Sequence, residues 1–246
     1  MKGITATSSN GNLIEVRDLV KVYHTAAGDF EALRGIQLGI EKGEFVALYG
    51  KSGAGKSTLI NMITGIDEPT SGEVMVNGAP LHMMQADELS RWRGENMGII
   101  FQFFQLIPSL TLIENITLPM DFCSTFPIGE QASRAVELLD AVDIAEHAHK
   151  TPSKISGGQQ QRVAIARAMA NDPEVIVADE PTGNLDSKTA TGVLDIFSKL
   201  VEDGKTVIVA THDEEVARRA TKIVEISDGC VVSIRTNGAV QKGEEI

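Results

Sequence analysis

Nine consecutive residues, Gly-Lys-Ser-Gly-Ala-Gly-Lys-Ser-Thr at positions 50–58, combine closely spaced glycines with lysines and hydroxyl groups. An apolar run precedes them and another follows, which is the order of a strand, a turn and a helix start. Glycines let a backbone approach a ligand closely, and the free N–H groups at a helix start attract anions. The segment therefore predicts a phosphate-binding loop, and we expect positive φ angles at Gly50, Gly53 and Gly55.

Two side chains of this loop indicate which chemistry it performs. Lys56 can reach the β- and γ-phosphates of a nucleotide as a point charge, and the Ser57 hydroxyl is a small, hard ligand suited to Mg²⁺. A tight turn that only caps a helix is the alternative, and the flanking strand and helix argue against it. The candidate nucleotide contacts in the loop are Gly50, Lys51, Ser52, Gly53, Ala54, Gly55, Lys56, Ser57 and Thr58.

Polar side chains also follow three other apolar runs, where buried strands are expected to end. Asp179 and Glu180 are adjacent carboxylates, which are costly at a strand end unless they meet a cation or water. We expect Asp179 to hold Mg²⁺ and Glu180 to orient or deprotonate a water facing the γ-phosphate. Gln102 and His212 end two further strands, and the carboxyl ends of parallel strands share one edge of a sheet. His212 could donate a hydrogen bond to the γ-phosphate, although an isolated histidine is more often structural.

Two further features leave their interpretation open. Tyr23 ends the first predicted strand, where its ring could stack on a purine or could pack against the edge of the sheet. Residues 155–162 read Ile-Ser-Gly-Gly-Gln-Gln-Gln-Arg and precede a strong helix pattern. The Ser156 hydroxyl could cap this helix, and the free N–H groups at the helix start could bind an anion. The pattern alone is equally compatible with a helix cap that binds nothing.

The composition limits the class of protein. With 246 residues the chain can form one α/β domain, or one core with an inserted subdomain. Its net charge of −12 argues against binding nucleic acid or anionic lipid. Cys123 and Cys230 lack a metal-ligand spacing, which favours a reduced cytosolic setting. Residues 1–12 predict a frayed end without a secretion signal, and the charge-free stretch 97–113 is too short and too interrupted to span a bilayer.

The pattern of apolar residues divides the chain into segments. Strand patterns dominate residues 12–85, which we expect to form a first lobe with a β subdomain. The first two strands are predicted over residues 13–23 and 32–40. Residues 86–158 contain Gln102 and a helical subdomain, because the spacing of apolar residues becomes helical there. Residues 159–235 complete the core lobe, and 236–246 form a polar tail.

With these motifs in view, the chain resembles the ATP-binding subunits of ABC transporters over nearly its whole length. The resemblance implies an α/β fold: a P-loop NTPase (RecA-like) core with an N-terminal antiparallel β subdomain and an inserted α-helical subdomain. It also implies that Tyr23 stacks on the adenine. In the family's terms the motifs are the Walker A loop at 50–57, the Q-loop at Gln102, the signature at 155–159, Walker B ending at Asp179, the catalytic Glu180, the D-loop at 183–186 and the switch histidine at His212.

The resemblance further assigns roles and ligands, namely ATP and Mg²⁺. The residues implied in catalysis are Lys56, Gln102, Glu180 and His212, and the implied magnesium ligands are Ser57, Gln102 and Asp179. The signature residues implied to contact the nucleotide are Ser156, Gly157, Gly158 and Gln159. Ile155 stands where leucine is usual, an apolar exchange of small expected effect.

The same resemblance implies partners. Two copies would close head to tail around ATP, so that the signature of one copy reaches the nucleotide held by the other, and the chain alone should hydrolyse ATP slowly. An integral membrane permease would be the second partner, which places the chain on the cytoplasmic face of the membrane without nucleic acid. We expect residues 103–110 to lie beside the groove for that permease, with internal packing as the alternative.

Residues 101–111 and 181–186 look most like the lipoprotein-releasing, macrolide-efflux and cell-division members of the family. An ABC ATPase of DNA repair or translation would need coiled-coil arms, zinc sites or a second cassette, which this sequence lacks. A regulator of a membrane protein in cell division, which transports nothing, stays open as the alternative function.

Overall fold

The computed structural model describes residues 11–26 and 28–237, which form two β-sheets with helices around them. The predicted frayed end and polar tail lie largely outside these residues. In chain order the elements are β1 (Asn12–Thr25), β2 (Gly28–Glu41), β3 (Phe45–Tyr49), α1 (Lys56–Ile63), β4 (Ser71–Val76), β5 (Ala79–Pro80), α2 (Ala86–Asn96), β6 (Met97–Ile100), α3 (Leu112–Cys123), α4 (Ile128–Ala141), α5 (Gly157–Ala168), β7 (Val175–Asp179), α6 (Ser187–Glu202), β8 (Thr206–Thr211), α7 (Glu214–Arg219), β9 (Lys222–Ser227) and β10 (Cys230–Thr236).

The larger sheet has the order β10-β9-β3-β8-β7-β6, in which β10 is antiparallel and the other five strands are parallel. Parallel sheets are covered on both faces, and the central strands β3, β7 and β8 are accordingly almost entirely apolar and buried. Phe45 and Ala47 of β3 belong to the core on the side of the inserted helices, whereas Val46 and Leu48 belong to the core beneath the smaller sheet. The sheet confirms the predicted buried strands and aligns the carboxyl ends of β3, β6, β7 and β8.

The smaller sheet is antiparallel, has the order β2-β1-β4-β5 and confirms the expected N-terminal β subdomain. Its first two strands form a longer hairpin than the sequence predicts, because β1 and β2 stay paired as far as Thr25 and Gly28. The predicted second strand began only at Ala32. The longer pairing places Phe30 in β2, directly opposite Tyr23.

The helices between β6 and β7 confirm the predicted helical subdomain. Thr111 caps α3 and exchanges hydrogen bonds with Glu114, a capping box that fixes where the helix begins. Buried residues of α3, α4 and α5, among them Met120, Leu139 and Val163, pack into the core on that side of the larger sheet. β6 precedes these helices and pairs with β7 in the larger sheet. Within residues 11–26 and 28–237, no helix combines the length and the apolar character that crossing a bilayer requires.

Candidate functional site

The phosphate-binding loop connects β3 to α1, as the sequence predicts. Gly53 and Gly55 have φ angles of 80° and 105°, a region that glycine adopts without steric cost. The expectation of a positive φ at Gly50 is wrong. A Cβ atom on Gly50 would instead collide with the carbonyl oxygen of Ile226, so the close approach of β9 is what requires glycine there.

Lys56 opens α1, and its side chain is held in the middle of the loop. Only 5% of the residue is exposed. Its Nζ donates hydrogen bonds to the carbonyl oxygens of Gly50, at 2.8 Å, and Lys51, at 3.1 Å, and lies 3.5 Å from Oε1 of Glu180. The ammonium group therefore has a fixed position among protein oxygen atoms. The oxygens of an anionic ligand could replace these protein oxygens as its partners.

Glu180 connects this lysine to His212. Its Oε1 lies 3.0 Å from Nδ1 of His212, within hydrogen-bond distance. Glu180 has a φ of 45°, which is uncommon for a residue other than glycine, and its N–H donates to the carbonyl of Ala210 on β8. This turn directly after β7 brings the carboxylate to Lys56 and His212. The structure thus brings the three side chains together as the sequence predicts.

Asp179, the last residue of β7, lies beside Ser57. Burial raises the pKa of Asp179, the hydrogen bond from the Ser57 hydroxyl lowers it, and the adjacent Glu180 raises it further. In the described part of the chain, its buried Oδ1 has no hydrogen-bond partner. An unpartnered carboxylate oxygen next to a hydroxyl fits Mg²⁺, which binds through one or two carboxylates together with phosphates and water. The described residues contain no cluster of three or more His, Cys, Asp or Glu side chains suited to a metal.

A cavity of about 330 Å³ lies over the loop and is lined by half of the candidate residues. Among the described residues, the candidates that do not line it are Tyr23, Gly50, Lys51, Ala54, Asp179 and the signature residues 156–159. The residues that line it are Phe30, Ala32, Ser52, Gly53, Gly55, Lys56, Ser57, Thr58, Gln102, Glu180 and His212. The cavity therefore contains the predicted Gln102 and adds two residues, Phe30 and Ala32, that sequence reasoning missed.

Tyr23 lies next to this cavity with its ring fixed by two neighbours. Its hydroxyl donates to Oδ2 of Asp67 at 2.9 Å, and Nζ of Lys21 lies 4.9 Å from the ring centroid. Burial and the hydrogen bond to Asp67 raise the pKa of Tyr23. Burial alone raises the pKa of Asp67, but the hydrogen bonds from Lys21 and Tyr23 outweigh it and lower that pKa. Phe30 is 56% exposed on the paired strand and extends the same aromatic surface into the cavity.

The signature residues form the start of α5, outside their own chain's cavity. Ser156 accepts a hydrogen bond from the N–H of Gln159, whose side chain accepts one from the N–H of Ser156. This capping box confirms the predicted cap. Gly158 has a packing role as well, because a Cβ there would collide with the side chain of Thr189 on α6.

A separate groove of about 650 Å³ lies between the core and the inserted helices. Phe101 and Ile107 line one wall, and Leu118 and Phe122 of α3 contribute to the other. Within the predicted 103–110 segment, Phe103 is 70% exposed, whereas Leu106 packs against the core. The segment therefore combines internal packing with an exposed apolar side chain near the groove.

Comparisons with known proteins agree with this geometry. The family model described as "ABC transporter" matches residues 33–183. An uncharacterized ABC transporter ATP-binding protein of Thermotoga maritima is 44% identical over 228 residues, covering 93% of this chain and 97% of its own length. The macrolide export ATP-binding/permease protein MacB of Hyphomonas neptunium is 42% identical over 90% of this chain, which spans only 34% of that protein.

One solved structure is similar over nearly the whole chain. It is the dimeric ATP-binding cassette MJ0796 in a post-hydrolysis state with ADP and Pi, a protein of Methanocaldococcus jannaschii. The TM-score is 0.85 at 42% sequence identity, with 91% of this chain and 98% of that chain covered.

Proposed function

This chain belongs to the ABC transporter family, and we propose that it is the ATP-binding and ATP-hydrolysing subunit of a membrane transporter. One observation carries the proposal: Lys56, Glu180 and His212 converge on a phosphate-binding loop although they lie on separate elements. The relative solved with ADP and Pi supports ATP as the ligand and hydrolysis as the reaction.

The proposed roles follow from the contacts in the cavity. The loop N–H groups and the Lys56 ammonium bind the β- and γ-phosphates, and Lys56 exchanges its carbonyl partners for phosphate oxygens. Glu180 orients the attacking water and accepts its proton, while His212 holds the carboxylate and faces the γ-phosphate. Gln102 lines the same cavity and contacts the γ-phosphate side.

Magnesium is proposed as the cation of this site, with Ser57 and Asp179 as its ligands and Gln102 beside it. Mg²⁺ held by these residues would neutralise negative charge on the phosphates during transfer. The buried, unpartnered Oδ1 of Asp179 supports this assignment, because a carboxylate without a partner is costly to keep at that position.

Replacing Asp179 with asparagine should raise thermal stability in chelator and reduce hydrolysis in Mg²⁺. The amide removes a buried charge, and each 1 kcal/mol of added stability raises the Tm of a protein of this size by roughly 2–4 °C. Calorimetry in EDTA and an ATPase assay in Mg²⁺ measure the two effects, with exposed Asp140→Asn as the control. A variant that is less stable in EDTA and hydrolyses ATP normally would contradict the assignment.

The base of the nucleotide is proposed to lie against the aromatic surface of Tyr23 and Phe30. Replacing Phe30 with alanine should weaken ATP binding about two- to twelvefold, because an aromatic stacking contact is worth roughly 0.5–1.5 kcal/mol. Replacing Tyr23 with leucine should have an effect of similar size. Binding of a fluorescent ATP analogue and of the corresponding triphosphate without a base measures this. Equal losses for both ligands would place the aromatic surface away from the base.

A second copy of the chain is proposed to complete the site. Ser156 and its neighbours lie outside the cavity of their own chain, so they can reach a nucleotide only on another copy. The relative that is dimeric with ADP and Pi bound supports a pair of copies. We propose that the pair is head to tail with ATP in the interface, because the signature lies outside its own chain's cavity. The chain alone should therefore hydrolyse ATP slowly, at a rate that rises with protein concentration.

The groove between the core and the inserted helices is proposed to receive a membrane permease, which places the chain on the cytoplasmic face of a membrane. Two exposed aromatic side chains support this location: Phe122 lines the groove and Phe103 lies in the segment beside it. Large exposed apolar side chains gathered at one place mark interaction sites. The macrolide export relative carries ATP-binding and permease functions in one protein, which supports a permease of the export type.

A Phe103→Ser variant tests the permease contact. We expect the ATPase of the isolated chain to change by less than about twofold, as for a typical surface substitution, while stimulation by the co-purified permease falls. Val232→Ser, on the exposed face of β10, is the matched control. If Phe103→Ser lowers only the activity of the isolated chain, internal packing explains the residue and the docking surface lies elsewhere.

A further inference from the structure

Two polar side chains, the half-buried Arg167 and the buried Asn115, hold the segment that joins Gln102 to α3. Arg167 lies near the end of α5, and Asn115 lies in the first turn of α3. Both hydrogen-bond to the backbone of this segment, and both line the groove between the core and the helices. The roles proposed above assign nothing to either residue.

Arg167 holds the beginning of the segment. Its Nη2 donates to the carbonyl oxygen of Phe104 at 2.9 Å and its Nη1 to that of Gln105 at 2.6 Å. Partial burial lowers the pKa of Arg167, and the two carbonyl oxygens are its hydrogen-bond acceptors. Gln105 has a φ of 48°, an uncommon conformation that presents its carbonyl to the guanidinium. The two parallel bonds use the planar fork of arginine, which a lysine cannot reproduce.

Asn115 holds the other end and is only 1% exposed. Its Oδ1 accepts the N–H of Ile107 at 2.7 Å. Its Nδ2 lies within hydrogen-bond distance of the carbonyl oxygens of Ile107, Leu110 and Thr111. The segment is therefore fastened to the inserted helices at both ends, two to nine residues after Gln102.

The helix that carries Arg167 also carries the signature at its opposite end. α5 has 12 residues, so it is a rod of about 18 Å with Ser156 capping one end and Arg167 near the other. Its inner side is packed in the core through Val163, Ile165 and Ala166. A displacement of the Gln102 segment would consequently reach the signature through Arg167 without bending the helix.

We propose that Arg167, supported by Asn115, is a positioning residue that couples Gln102 to the signature end of α5. Nucleotide bound in the cavity moves Gln102. The Arg167 guanidinium then transmits that displacement along α5 to the signature, which contacts the second copy. The inference rests on the proposed function, because it requires hydrolysis in a dimer. Occupation of the groove would act on the same contacts, since Gln105, Ile107, Asn115 and Arg167 line it.

The chain offers a matched control in Arg134 of α4. Its guanidinium also donates to two consecutive carbonyls, those of Met169 and Ala170, in the same subdomain but away from the Gln102 segment. The test compares Arg167→Met with Arg134→Met in the full chain, and its readouts are ATP binding, kcat, KM and thermal stability. Arg167→Met should lower kcat about tenfold with nucleotide affinity changed by less than about twofold, whereas Arg134→Met should keep kcat per folded protein.

A double-mutant cycle separates coupling from simple support of the fold. If Arg167 acts through the Gln102 segment, the double variant Gln102→Ala/Arg167→Met should have a kcat less than about threefold below that of the slower single variant. If the two effects are independent, Arg167→Met should lower the kcat of the Gln102→Ala variant by a further factor of about ten, and that result would overturn the proposal. Arg167→Lys, which keeps the charge without the fork, should show the same loss of kcat and serves if the methionine variant does not fold.

The outcomes also separate this proposal from the proposed function. A wild-type chain that neither dimerises with ATP nor hydrolyses it would refute the function itself. A wild-type chain that does both, while Arg167→Met and Arg167→Lys keep normal kcat and normal ATP-dependent dimerisation, would refute the coupling role alone.

Discussion

Replacing Lys56 with methionine is expected to lower kcat/KM for ATP by about a thousandfold, in the range seen when one preorganised electrostatic group is removed from an active site. Methionine has a similar length, so the substitution removes the ammonium group while it keeps most of the packing. The loss is large because Nζ is fixed by the carbonyls of Gly50 and Lys51 where phosphate oxygens are expected. The loop N–H groups alone cannot supply a full positive charge.

Nucleotide binding and steady-state hydrolysis measure this effect, and circular dichroism checks that the variant is folded. Lys199→Met, on the exposed side of α6, is the control for removing one positive charge from a chain of net charge −12. A Lys56→Met variant that keeps more than about a tenth of the wild-type kcat/KM would show that phosphate is bound elsewhere.

Replacing Glu180 with glutamine is expected to lower kcat by about 10² to 10⁴, the contribution of a positioned general base, and to leave ATP binding intact. The amide has the shape of the carboxylate but cannot accept a proton from water. It also removes the negative charge that faces Lys56 at 3.5 Å, which should favour a bound polyphosphate. ATP should therefore accumulate unhydrolysed on the variant.

Single-turnover hydrolysis of radiolabelled ATP, compared with binding of the same nucleotide, measures the two effects separately. Glu202→Gln, at the exposed end of α6, is the matched control. If Glu180→Gln hydrolyses ATP at the wild-type rate, another group activates the water. If it fails to bind ATP, the carboxylate has a structural role in the loop.

The sequence predicts most of the fold and the phosphate end of the site for local physical reasons. The apolar runs of β3, β7 and β8 are short, continuous and followed by polar residues, so their type and their carboxyl ends can both be identified. Once parallel strands are assumed, Ser57, Glu180 and His212 must lie at one edge of the sheet. The structure places them there.

Contacts between a side chain and a distant backbone carbonyl leave no pattern in the sequence. Arg167 and Asn115 bond to carbonyls of a loop, and any residue type there would present the same acceptor. Phe30 was missed because hairpin length depends on pairing between strands, which extended β2 beyond its predicted start. Gly50 was identified for the wrong reason, a positive φ. The carbonyl oxygen of Ile226 leaves no room for a side chain there, and Ile226 lies on a strand far along the chain.

Sedimentation velocity of the Glu180→Gln chain, with and without ATP and Mg²⁺, tests the central claim that nucleotide joins two copies through Lys56 on one and Ser156 on the other. We expect a monomer without nucleotide and a dimer with one ATP retained per chain when both are present, and we expect Ser156→Arg to abolish that dimer. A chain that stays monomeric with ATP bound, or that dimerises equally without it, would contradict the account.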